Sequence, residues 1–198
     1  MNKVARILQK IRVAYYRHFV SNVKVSGGFK IHSATIFHSV NEGKICIADN
    51  VHLGYYPSPL FFNACNHIDV RGGGGNTMIS IDSRTFISNN FSLVAYKENI
   101  HIGRNCFIGI NFQAMSSDFH GFTIENRNNE EYIQSAGVEI GDDCFMGNNV
   151  IVLKGVKLGK GCVVGSGSVV TKSFGDNALI GGNPARLLRT IQQDVERI

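Results

Sequence analysis

Residues 138–170, VEIGDDCFMGNNVIVLKGVKLGKGCVVGSGSVV, place Ile140, Met146, Val152, Leu158, Val164 and Val170 six residues apart without a break. Two positions before each stands a compact residue, Val138, Cys144, Val150, Val156, Cys162 or Ser168, and Gly follows four of the six, at 141, 147, 159 and 165. A period of six is neither the 3.6 of a helix nor the alternation of a plain strand. It suits a prism of short parallel strands, three to a coil, with the large apolar side chain pointing inward and the compact one packed near a corner. Gly and Asn fit the corners, where a positive φ costs them little. Each hexapeptide buries its apolar side only against its neighbours, so the repeats stand as a stack or not at all.

Outward from this block the rhythm weakens. It begins after Phe29 with Ile31 and Phe37, then Ile47 and Leu53. It returns at Ile81, Ile87 and Leu93, slips by three residues, and resumes at Ile102, Ile108 and Ala114. Two interruptions are predicted. The first, 55–78, carries Tyr55, Tyr56, Pro57, Pro59 and the glycine run 72–75; that run lacks the Lys-Ser or Lys-Thr of a phosphate loop and reads as a flexible loop or hairpin tip. The second, 115–137, is rich in polar groups on an otherwise rigid scaffold, the usual place for chemistry. Past Val170, Gly181, Gly182 and Asn183 form a turn, and Pro184 opens a last helix with Leu187, Leu188, Ile191 and Val195 on one stripe. Such a helix caps the open end of a coil.

The 198 residues suffice for one core, divided here into an N-terminal helical segment (1–28), a β-helix (29–183) and a capping helix (184–198). The net charge of +5 is unevenly placed: Lys3, Arg6, Lys10, Arg12, Arg17, Lys24 and Lys30 occur in residues 1–30 with no acid, leaving 13 basic and 15 acidic groups in the remainder. The fold itself therefore lacks the basic face that nucleic acid requires, and that partner is set aside. Residues 3–20 put Val4, Ile7, Leu8, Ile11, Ala14, Tyr15 and Phe19 on one helical stripe. A basic amphipathic helix of this kind either lies on an anionic membrane surface or packs its stripe on the β-helix end or a neighbouring subunit; packing is the simpler expectation. Cys46, Cys65, Cys106, Cys144 and Cys162 form no CxxC pair, and the last three fall in the compact slot of the repeat, so reduced, buried, structural thiols are expected. Neither a signal peptide nor an apolar run of about 20 residues is visible, which points to the cytoplasm.

From residue 100 to 190 the order of features (coil, SSDFHGF in a loop, Ile-Gly hexapeptides, GSGSVVTK, GGNPARLLR) resembles the galactoside, maltose and xenobiotic O-acetyltransferase group of hexapeptide-repeat acyltransferases and the bacterial polysaccharide O-acetyltransferases. The resemblance implies a left-handed parallel β-helix, an exception to right-handed crossovers, and a homotrimer that holds acetyl-CoA in a groove between subunits. It implies His120 as catalytic base, with Asp118 two residues away as its orienting group and Glu125 and Glu139 as weaker candidates. Imidazole suits the task, because a sugar hydroxyl attacks well only as its proton is accepted. His32, His38, His52, His67 and His101 are given structural roles. The coenzyme positions carried over are Gly147 and Asn148 near the thioester and pantetheine, Ser166 along the arm, Thr171 and Lys172 near the nucleotide end, and Arg186 and Arg189 by the phosphates; guanidinium groups suit phosphate geometry. Phe145 replaces a Trp of some relatives. Asn90, next to Asn89, matches an acceptor-binding asparagine.

The expected activity is transfer of acetyl to a carbohydrate hydroxyl, on a bacterial cell-surface polysaccharide or its precursor, with no metal. A γ-type carbonic anhydrase on the same helix is the alternative enzyme, needing three His on a metal across a subunit interface. A catalytically silent β-helix is the alternative outside enzymes.

Overall fold

The computed structural model describes residues 2–72 and 76–192. The inner part of the glycine run, 73–75, and residues 193–198 of the expected last helix lie outside the described residues. Among the described residues three sheets of eight, six and five strands run side by side. The first face stacks Lys30–Ile31, His52–Leu53, Phe86–Ile87, Phe107–Ile108, Phe145–Met146, Val163–Val164 and Ala178–Gly181 in that order. The second stacks Thr35–Ser39, Asn66–Val70, Ser92–Ala95, Gln113–Met115, Ile151–Val152 and Val169–Val170, and the third runs from Lys44–Ile47 to Lys157–Leu158. The chain visits the faces in turn, so each strand pairs in parallel with the strand one coil away. Met146, for example, stands in register with Ile108 on one side and Val164 on the other.

This register makes the six-residue period a physical device: every inward side chain lands on its equivalent above and below. Ile140, Met146, Val152, Val164 and Val170 are fully buried, and Leu158 nearly so, in one core. The compact residues pack at the corners, where Cys106, Cys144 and Cys162 each donate an S–H to a carbonyl of the neighbouring coil, Gly141, Gly159 and Gly175. Cys46, by contrast, is exposed and Cys65 half-buried, because both lie outside the compact slot. Corner residues are left-handed: Asn50, Asn105, Asn111, Asn149 and Asn177 all have φ near +57°.

Three expectations are corrected. The first interruption is shorter than 55–78, because Asn66–Val70 is a strand of the second face with Ile68 and Val70 buried. Its alternation is out of phase with the six-residue count only because the preceding loop adds residues. At the other end Arg186–Thr190 is a strand, antiparallel to Ala178–Gly181, where a helix was expected. Pairing the open backbone edge of the last coil outweighs the helical signal of Leu187 and Leu188, which are both exposed.

The third correction concerns the N-terminus. A helix over Lys3–Tyr15, capped by the Asn2 side chain, continues into a π turn through Val20. It docks by its polar side: Gln9 is buried and donates to the His32 carbonyl at 3.0 Å, while Arg12 donates to the carbonyls of Phe61, Phe62 and Ala64. The His32 carbonyl of the first coil and those of Phe61, Phe62 and Ala64 in the first loop take these donors, and the apolar stripe faces away from the β-helix end.

Candidate active site

The prism has three edges. Along the edge between the first and second faces, Asn90 donates its amide to Asn111 and Asn111 donates to Asn149, each at 2.7 Å. Beside this ladder Asn148 accepts from Ile110 N–H at 3.1 Å, and its own N–H donates to Ser166 Oγ at 3.1 Å. Gly147 is needed here, since a Cβ would lie 2.5 Å from Ser166 Oγ. Gly147, Asn148, Ser166 and Asn90 therefore share one edge. The neighbouring Asn89 is fully buried and holds Tyr55 and Pro59 of the first loop, which separates the structural asparagine from the edge one. Arg186 pairs with Gly181 next to this edge, and Arg189 lies across from Leu179 on the same strand.

The edge between the second and third faces carries the other groups. Gln113–Met115 ends there, and the chain leaves the coil until Val138. The base of this loop is stitched: Ser117 bridges Ser135, Asp118 N–H donates to Gln134, and Ala136 N–H donates to Ser116. Ser116, fully buried, returns its hydroxyl to the Glu98 carbonyl at 2.8 Å. At the outer turn His120 is exposed, with Nδ1 3.2 Å from the Arg127 carbonyl. A carbonyl only accepts, so Nδ1 carries the hydrogen, and a ring with one hydrogen then has its lone pair on Nε2. Thr171 and Lys172 lie on the same edge, both exposed, with the Lys172 ammonium over the Phe174 ring.

Among the described residues no hydrogen bond or ion pair joins Asp118 to the imidazole. The carboxylate Oδ2 stands 3.3 Å from Lys154 Nζ, close enough for charge attraction but without hydrogen-bond direction. Among the described residues no carboxylate lies within ion-pair distance of His120. The ring's hydrogen-bond partner is the Arg127 carbonyl, which no side-chain motif announces. Glu139 pairs with Lys157. Of the histidines read as structural, His38 bonds Asp69, His101 bonds Ser80, and His32 stacks on His52 with ring nitrogens 3.0 Å apart. Burial, then the neighbouring His52 and Lys30, hold His32 below the usual imidazole range.

The sequence reading singled out Phe145 but not the row it belongs to. Phe86, Phe107 and Phe145 stand in adjacent register on the outside of the first face, with Phe86 and Phe107 stacked at 5.4 Å. With Tyr55 and the edge residues Gly54, Ser88 and Gly109 they line a cavity of about 370 Å³. Phe107 and Phe145 are each 51% exposed. The signal was present as a Phe immediately before the inward residue in three successive coils.

The family model for the hexapeptide repeat of succinyl-transferase matches residues 137–172. Over 92 residues the chain is 45% identical to a putative acetyltransferase of Dictyostelium discoideum, covering 46% of this chain and 47% of the relative. It is 37% identical over 122 residues to the polysialic acid O-acetyltransferase of Escherichia coli, covering 61% and 39%. The chain thus spans about half the length of the first curated relatives it matches, 56% in the case of a Bacillus subtilis putative acetyltransferase. Among solved structures, a hexapeptide-repeat acetyltransferase of Vibrio cholerae complexed with acetyl coenzyme A superposes with a TM-score of 0.54 at 20% identity, over 96% of this chain and 89% of that one. Against Protein CapG of Staphylococcus aureus the identity is 38% over 127 residues, 63% of this chain and 68% of CapG. Coil, register, family model and CapG agree, and the chain belongs to the hexapeptide-repeat acyltransferases, with their left-handed parallel β-helix fold.

Proposed function

We propose that the chain is an acetyl-CoA-dependent O-acetyltransferase that modifies a carbohydrate hydroxyl, on a cell-surface polysaccharide or its precursor, from the cytoplasmic side. The observation that carries this reading is His120: an exposed imidazole on a stitched loop, with Nδ1 committed to a carbonyl and Nε2 without a partner among the described residues. The polysaccharide acceptor is supported by the name of the Escherichia coli relative, and the donor by the coenzyme in the Vibrio cholerae complex. In the reaction Nε2 takes the proton of the acceptor hydroxyl as its oxygen attacks the thioester carbonyl. The tetrahedral intermediate collapses, the carbon–sulfur bond breaks, and the proton on Nε2 passes to the leaving thiolate.

The same geometry supports a homotrimer. His120, Thr171 and Lys172 occupy one edge of the prism, and Gly147, Asn148, Ser166 and Arg186 another. A strand separates the two edges within a chain, so an extended coenzyme touching both groups is most simply held between one protomer's loop edge and its partner's ladder edge. The backbone of the ladder edge offers groups to the pantetheine amides, and Lys172, Arg186 and Arg189 offer charge to the phosphates.

Labelled acetyl-CoA, offered with a panel of nucleotide sugars, lipid-linked oligosaccharides and sialylated glycans, tests the proposal. The expected result is label in a product that mild alkali releases, as an ester requires. Label in an alkali-stable amide, or none in any carbohydrate together with a melting temperature that CoA does not raise, overturns it. A fully active monomer by light scattering overturns the shared site.

A further inference from the structure

The N-terminal helix shows an apolar stripe to solvent. Val4, Ile7, Leu8 and Ile11 are 58–65% exposed, and Phe19, stacked on Tyr15, is 81% exposed. The opposite side of the helix is held on the first coil by Gln9 and on the first loop by Arg12, so the direction of the stripe is fixed by hydrogen bonds to backbone carbonyls. At 100° per residue Lys3, Arg6 and Lys10 fall together on one flank of the stripe, while Arg17, in the π turn, is drawn to the Val25 carbonyl and the Phe29 ring. Arg6, Lys10, Arg17 and His18 also line a groove of about 510 Å³ between the helix and the first face, with Ile31 and Tyr56 among its apolar walls. No acidic residue occurs before Glu42.

We propose that this helix is a docking surface for an anionic phospholipid bilayer. Apolar side chains facing outward beside a one-signed basic flank are the two ingredients of interfacial binding: burial among acyl chains and attraction to lipid phosphates. The charge decides between occupants. A second copy docking symmetrically brings the same basic flank against itself, and the rest of the chain, with 13 basic and 15 acidic groups, has no strong opposite field to offer. Among the described residues no helix is long and apolar enough to cross a membrane, so the contact lies in the interface. The helix packs on the first coil, and the His120 loop leaves the fourth strand of its sheet, so about 14 Å of stacked strands separates them at 4.8 Å per strand. The surface stands apart from the chemistry proposed above and needs neither coenzyme nor acceptor.

Co-sedimentation of the full chain with phosphatidylglycerol-containing vesicles tests it. Binding should exceed that to pure phosphatidylcholine vesicles by at least about tenfold and weaken with salt. Ile7→Ser/Ile11→Ser should abolish it at an unchanged melting temperature, since both side chains are mostly exposed. The chain has no Trp, so Phe19→Trp supplies a lone emitter whose spectrum should shift to the blue on anionic vesicles only. Three results would overturn the proposal: no vesicle binding by the wild type, undiminished binding by the double serine variant, or a serine variant that changes the particle mass by light scattering without a vesicle effect. The last result assigns the stripe to a second copy.

Discussion

Along the edge between the first and second faces, Asn90, Asn111 and Asn149 pass one amide hydrogen bond to the next at 2.7 Å; on the edge between the second and third faces the coil opens and an imidazole stands exposed. Both edges start from the same backbone geometry. On the first, side chains are spent on one another, and what remains for a ligand is a fixed row of backbone groups and small residues. On the second, the loop gives up coil packing and gains a side chain with a free lone pair. In the proposed function the regular edge holds the extended coenzyme and the interrupted edge carries the chemistry.

The contrast breaks most sharply at His120. His120→Ala should lower acetyl transfer by about two to four orders of magnitude, the usual worth of a general base, while the melting temperature and coenzyme affinity stay where they are. The ring is exposed and, among the described residues, bonds only the Arg127 carbonyl, so little folding energy is at stake. Near-normal turnover in the alanine variant would move the base elsewhere and erase the difference between the edges.

Asn111 tests the ladder edge in the opposite sense. It combines a φ of +59° with two amide bonds. Asn111→Ala loses both features and should cost about 2 kcal/mol; Asn111→Gly keeps the backbone at ease and should cost about 1 kcal/mol, the ladder bonds alone. Chemical denaturation separates the two. Equal losses would mean that the side-chain ladder, and not the left-handed corner, is the whole contribution.

How much of this was legible before the structure follows the same division. Ile140 to Val170 gave away the core because a period of six leaves each inward residue one register partner per coil. Asn66–Val70 was hidden because a loop of irregular length precedes it and shifts the count. Arg186–Thr190 was misread because the need to pair an open edge is set by the last coil in space, and the local Leu-Leu pattern does not carry it. The stripe at Val4 to Phe19 was read correctly as a stripe, but its direction depends on which carbonyls of the coil lack donors, a tertiary fact. At the candidate site, His120 stands out in its motif, while the group that bonds its ring is a backbone carbonyl seven residues on, invisible to any reading of side chains.

Asp118 gives the smallest and most discriminating effect. If its carboxylate oriented or charged the imidazole, Asp118→Asn would reduce turnover by a large factor and alter its pH profile. The structure instead sets Oδ2 3.3 Å from Lys154 Nζ, with both side chains about three-quarters covered. Asparagine keeps the shape and the Asp118 N–H bond to Gln134, so the base of the loop should stay closed. What is lost is the attraction to a partly shielded ammonium, about 1 kcal/mol after solvent screening. Turnover should therefore fall only a few-fold, through a loop held less firmly, with the pH dependence of the rate in place. Lys154→Met should have an effect of the same size, and the double variant should add little to either, because one interaction is removed once. A pH profile displaced in Asp118→Asn but unmoved in Lys154→Met would return the carboxylate to the imidazole and make the ion pair incidental.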